Sequence, residues 1–252
     1  ADSSALGNDA AGSNNLTATN LAAVDQCVDT PTNNFSTMNS LDNYYQASTF
    51  SEGNNVVVTS SGNSTFNTAT VPLQAGKWYA EIKCGTVPTY THIGISDKIS
   101  TGTSDSLGDN TYEYSYLGYN GNIVTGASSS SYGDTYTTGD IIGIYLDLDN
   151  SKLYFGKNGT VQNSGTGVSI SAVSGAANSW YVMAFGDEDG GATATGNFNF
   201  GNGSFGGTAV SSGNTDTNGY GNFEYDPSSG TFDGGSKDFL AICTKNLGSD
   251  GG

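Results

Sequence analysis

The chain has 252 residues, 12% of them charged, 35% hydrophobic and 37 of them glycine. Seven Lys and Arg against 24 Asp and Glu give a formal net charge of −17, so no basic cluster exists to neutralise phosphates and nucleic acid is not an expected partner. No apolar run approaches the length of a membrane span, so insertion into a bilayer is not expected either, while 28 Phe, Tyr and Trp residues can bury enough area to fold the chain.

Residues 1–34 are rich in Asn, Ala, Thr and Asp, with isolated apolar positions such as Leu16, Leu21 and Val24. They are expected to form an extended arm or linker, closed by the turn-like "DTPTNNF" at 29–35. The opening "ADSSALGNDAAG" lacks a basic start and an apolar core, so it is not expected to act as a secretory signal. With "LGSDGG" at the other end, the expectation is a trimmed piece of a longer polypeptide.

From about 35 to 205 strand signals recur at short spacing. Val56–Thr59 and Thr65–Val71 are β-branched runs separated by "SSGNS". "KWYAEIKC" (Lys77–Cys84) alternates, with Trp78, Ala80 and Ile82 on one face and Lys77, Tyr79, Glu81 and Lys83 on the other. "THIGIS" (Thr91–Ser96) sends Ile93 and Ile95 inward, and "YEYSYLGYNG" follows. "GDIIGIYLDLDNSKLYFGKNG" (Gly139–Gly159) is a hairpin, with Ile142, Ile144, Leu146 and Leu148 on alternate positions before a polar turn. "WYVMAFG" (Trp180–Gly186) and "TGNFNFG" (Thr195–Gly201) complete the set. No 3.6-residue apolar period persists for three turns, which predicts an all-β antiparallel two-sheet sandwich with extended terminal arms. Residues 206–252 form a Gly/Ser-rich segment with one strand expected over 237–247, packed on the sandwich or on a neighbouring subunit.

The order "GKWYAEI", "IGIS", "GYNG", "YGDTYTTGDIIGIYLDLDNSKLYFGKNG" and "NFNFG" resembles the SPRY domain over roughly residues 50–205. The flanks "DTPTNNFSTMN" and "FLAICTKNL" resemble segments around such domains in virion structural proteins of tailed bacteriophages. The first resemblance implies a bent sandwich of the concanavalin-like class that binds through loops at one end and is not an enzyme. Its ligand-contacting loops cannot be matched here residue by residue, so no family binding residue is carried over. The two resemblances together imply a non-enzymatic phage virion protein (decoration, fibre or tail-associated subunit) working through contacts with other virion proteins and with copies of itself. A lectin-like module for cell-surface glycan is the alternative, followed by a glycan-cleaving enzyme and an intracellular peptide-binding module. No cofactor is implied.

The chemistry-bearing residues are few. His92 is the single histidine, and its parity turns it away from the inner core, so it cannot build a multi-His metal site. Glu81 and Asp147 are the acids a glycosidase would draw on, but no feature sets two carboxylates across a sugar-sized gap. Asp149 enters a turn beside Asn150, where local backbone bonding is expected. Within "GDEDGG", Asp187, Glu188 and Asp189 are weak Ca²⁺ candidates, their spacing matching no calcium loop, and a solvated turn is the alternative. Tyr112, Tyr114 and Tyr116 share one parity and are candidates for an interface or ligand surface, the alternative being core beneath a loop. Of the three cysteines, Cys84 is expected to be a small buried hydrophobe, and Cys27 with Cys243 is a possible pair. The sequons at Asn63, Asn158 and Asn202 carry little weight in so Asn-, Ser- and Thr-rich a chain.

Overall fold

The structure is a computed structural model, and it describes residues 14, 15, 17, 19, 29–43, 47–62, 64–99, 105–235 and 238–250. Its elements in chain order are β1 (Thr49–Ser51), β2 (Val56–Val58), β3 (Thr65–Thr68), β4 (Lys77–Thr86), β5 (Thr91–Ser96), β6 (Glu113–Leu117), β7 (Asn122–Thr125), β8 (Ser128–Ser131), β9 (Ile141–Asp147), β10 (Lys152–Lys157) and β11 (Thr160–Val161). There follow β12 (Val168–Ser169), β13 (Val182–Asp187), β14 (Thr195–Asn199), β15 (Ser204–Phe205), β16 (Thr208–Ala209), β17 (Leu240–Ala241) and the helix α1 (Thr244–Asp250).

Two sheets stack face to face. One runs β1-β2-β14-β4-β9-β10-β11, with β12 beside β10 and β17 beside β4; the other runs β3-β13-β5-β6-β7-β8. The expected hairpin is β9–β10, in register from Ile142↔Lys157 to Asp147↔Lys152. Asp147 closes its turn, accepting from the backbone N–H of Asn150 at 2.9 Å and from its side-chain amide at 2.8 Å. Asp149 bonds outward instead, to the backbone N–H of Gly76 at 2.9 Å.

Period-two alternation builds the inner core. Trp78, Ala80 and Ile82 lie level with Leu146, Ile144 and Ile142 across the β4–β9 ladder. Facing them, Ile93 and Ile95 lie level with Tyr116 and Tyr114 of β6 and with Phe185 and Met183 of β13. All of these are buried in one cluster.

The outward faces do not meet water as expected. Tyr79, Glu81 and Tyr145 are all buried, because the C-terminal segment lays a second aromatic layer over them. Phe223 meets the Tyr79 ring edge-on at 5.0 Å, and Phe232 and Phe239 pack on Tyr145 and Tyr154 at 5.0 to 6.3 Å. On the second sheet, Leu107 covers Phe66 and Ala184. His92 does point away from the inner core, as its parity requires, yet it too is buried.

The strand expected over 237–247 is confined to Leu240–Ala241, which adds in parallel to β4 at Trp78 and Tyr79. It shares that edge with β14, which pairs farther along, from Glu81 to Thr86. Beyond it the chain turns into α1 because the buried Asn246 amide reaches back to the Ala241 carbonyl at 2.9 Å and to Asp216 at 2.7 Å. Asp216, itself buried, also takes the backbone N–H of Ala241 at 2.9 Å. The start of the described core is tied to the same place: Phe35 bridges Cys243, and the Ser36 N–H donates to the Ile242 carbonyl at 2.9 Å.

Candidate functional site

Register decides which loops are neighbours. Thr91 pairs with Asp187, His92 with Leu117, Thr86 with Thr195 and Lys83 with Ile141. The loops 87–90, 118–121, 132–140 and 188–194 therefore emerge at one end of the sandwich.

Two aromatic side chains stand out of this end. Tyr90 is 39% exposed and Tyr119 is 49% exposed, and with Leu41 and Ile99 they are the exposed large hydrophobics among the described residues. Their rings meet edge-on, centroids 5.4 Å apart at 71°. The pair is carried on a bonded base. The Glu188 N–H donates to the Tyr90 carbonyl at 3.1 Å, and Gly118 donates to the Thr91 carbonyl at 3.0 Å. The buried Tyr136 hydroxyl donates between the carbonyls of Thr91 (2.8 Å) and Tyr116 (3.0 Å). Gly121 holds φ +72°, and a Cβ there would come within 2.0 Å of the Gly133 carbonyl oxygen.

Acidic residues follow at the end of the neighbouring strand β13, where Glu188 bonds the Tyr90 backbone. Asp187 is buried, accepting from the Thr59 hydroxyl at 3.2 Å and the Asp189 N–H at 2.9 Å, and burial pushes its pKa up. Glu188 is half exposed, with its Oε2 3.6 Å from His92 Nε2. The imidazole beside it holds Glu188 below the usual carboxylate range. Asp187, Glu188 and Asp189 do not converge: among the described residues no group of three or more His, Cys, Asp or Glu could hold a metal ion.

The tyrosines singled out by parity lie elsewhere. Tyr114 and Tyr116 are core residues, not an exposed surface. Their side of β6 faces the opposite sheet, where Tyr116 stacks on Phe155 at 5.2 Å and the Tyr114 hydroxyl accepts the Ser171 N–H at 2.9 Å. Tyr112 is partly buried against the same core. Parity sets Tyr119 apart from Tyr112, Tyr114 and Tyr116 but does not mark it or Tyr90 as exposed, because each sits in a turn, where alternation has no meaning; the signal in the sequence is a large aromatic inside "VPTY" and "GYNG", flanked by turn formers.

The acids considered for catalysis are occupied. Glu81 takes four donors: the Tyr79 hydroxyl (3.0 Å), the Asn199 amide (3.1 Å) and the backbone N–H groups of Glu224 (3.0 Å) and Tyr225 (2.7 Å). Burial outweighs those bonds and raises its pKa to about 7. Asp147 is spent on its hairpin turn, described above. Cys84 and Cys243 are buried thiols, pushed up by burial. The possible pairing with Cys27 lies outside the described residues.

Residues 77–202 match the family model of the SPRY domain. Among solved structures, the SPRY domain of human HERC1 is similar, with 16% identity and a TM-score of 0.49, over 60% of this chain and 91% of that one. No curated protein matches the chain.

Proposed function

Because this chain belongs to the SPRY domain family, which residues 77–202 match, we propose that it is a non-catalytic, protein-binding subunit of a bacteriophage particle, docking through the loop end that carries Tyr90 and Tyr119. The observation that carries the docking end is that pair of exposed, mutually braced rings. Other tyrosines, such as Tyr79, Tyr116, Tyr136, Tyr145, Tyr154 and Tyr181, are buried. Tyrosine at a rigid, partly exposed position supplies contact area at little entropic cost, which suits an interface anchor. The particle setting rests on the flanking strings "DTPTNNFSTMN" and "FLAICTKNL" and on the acidic, lysine-poor composition, which keeps an extracellular assembly soluble. Its partners are other virion proteins and further copies of the chain.

The test is sedimentation with phage particles whose genome encodes the chain. The wild-type chain should pellet with them, and Tyr90→Ala/Tyr119→Ala should stay in the supernatant. Equal pelleting of the two would sink the proposal. Exposed rings at an end that also carries acidic loop residues suit sugar as well, by stacking and hydroxyl bonding, so a surface glycan is the second reading. Saturable binding to defined structures on a glycan array, lost in the same double variant, would favour it.

A further inference from the structure

The loop end asks for positive charge. Glu188 is anchored by its own N–H to the Tyr90 carbonyl and keeps a half-exposed carboxylate. Ser115 Oγ has one proton and donates it to the Leu107 carbonyl at 2.9 Å. Its 2.9 Å contact with His92 Nδ1 is therefore made by the Nδ1–H. That leaves Nε2 buried without a hydrogen-bond partner and aimed at Glu188 Oε2. Glu188 Oε2 lies 3.6 Å from that nitrogen, beyond hydrogen-bond distance, so the half-exposed carboxylate stays open to an N–H cation from outside the chain.

Among the described residues the chain pairs no lysine with Glu188. It contains no arginine, and its basic residues are seven lysines. Lys98, Lys152 and Lys157 are paired with Asp105 and Glu113, Asp233 and Asp140 respectively. Among the described residues, the lysines that stand over aromatic rings are Lys83 and Lys245, over Phe205 and Tyr220. Neither stands over Tyr90 or Tyr119.

We propose that this end of the sandwich seats an arginine side chain of the protein partner, with the guanidinium plane against the Tyr90–Tyr119 pair and Glu188 as its counter-ion. The proposal rests on the protein-docking reading above and names the group that docking recognises. A guanidinium fits better than an ammonium because it is flat enough to lie on a ring and presents a fork to a carboxylate. A net charge of −17 draws such a partner in from a distance.

The experiment titrates the full chain with three glycine-rich peptides of equal length, carrying a single arginine, lysine or citrulline, and follows the tyrosine ring resonances by NMR. The arginine peptide should shift the Tyr90 and Tyr119 rings saturably, with citrulline at least about tenfold weaker because it keeps the shape but loses the charge. Glu188→Gln should weaken the arginine peptide about tenfold, and Tyr119→Leu, which keeps apolar bulk but removes the ring, should do the same. Equal binding of citrulline, equal or tighter binding of lysine, or indifference to Glu188→Gln overturns the assignment. Ring shifts with an oligosaccharide but not with the arginine peptide overturn it as well. If the peptides fail while Tyr90→Ala/Tyr119→Ala still loses the particle, the guanidinium is wrong and the docking end stands; if that double variant also pellets normally, both fall.

Discussion

Glu81 occupies a strand position whose alternation points out of the sandwich, and it is nevertheless buried among four donors. Its pKa, raised to about 7 by burial, fixes the sign of its effect on stability. Between the ordinary carboxylate range and pH 7 the folded chain keeps the Glu81 proton and the unfolded chain releases it. Stability from this group is therefore full at low pH and is lost as pH rises through about 7, by at most about 1.4 kcal/mol per pH unit. Denaturant melts of wild type and Glu81→Gln between pH 4.5 and 8 should thus diverge in slope by roughly 3 kcal/mol in total. Parallel curves would show that Glu81 ionises in the fold as freely as in water. Sequence placed this residue on the correct face; it could not show that residues 222–225 lie across that face, because the bonds from Glu224 and Tyr225 span more than 140 positions.

The β6–β7 turn shows how an element serves the surface it carries. Tyr119 projects from a loop closed by Gly121, whose N–H donates to the Leu117 carbonyl at 3.0 Å and whose carbonyl accepts from Gly133 at 2.8 Å. Its positive φ and the 2.0 Å approach of the Gly133 oxygen leave no room for a side chain. Gly121→Ala should cost about 1–3 kcal/mol, most of it local. The check is hydrogen exchange: the 118–121 and 133–136 amides should lose protection before the β4–β9 ladder does, and uniform loss along the chain would contradict it. The strands themselves were legible because alternation survives in both directions: "KWYAEIKC", "THIGIS" and "IIGIYLD" lie in β4, β5 and β9 as expected. Turns were legible as turns, but not as a shared end, since neighbourhood between loops 87–90, 118–121 and 188–194 depends on which strands pair.

At the scale of the molecule, the family-matched residues 77–202 do not account for the whole fold. The inner core lies between the two sheets, and a second layer of Phe223, Phe232 and Phe239 seals the outer face of the first. Burying three phenylalanines contributes about 5–9 kcal/mol, which is comparable with the net stability of a whole domain. Deleting residues 206–252 should therefore unfold the protein and not merely trim it. Circular dichroism melting would decide this: a cooperative transition near the wild-type temperature in the truncated chain would mean that the sandwich stands without its outer layer.

Composition and periodicity alone determined the all-β class, the strand order along the chain, the inner-facing residues and the scarcity of catalytic groups. These are local properties, readable because a pleated strand repeats every two residues and a glycine-rich turn interrupts it. The tertiary structure decided everything that depends on what covers a face. It turned Tyr114 and Tyr116 into core and buried Glu81 and His92. It carried β17 back beside the Trp78 end of β4 and brought Tyr90, Tyr119 and Glu188 to one end of the sandwich. Alternation tells that a side chain has two faces to choose from; only the packing of distant segments tells which of those faces still meets water.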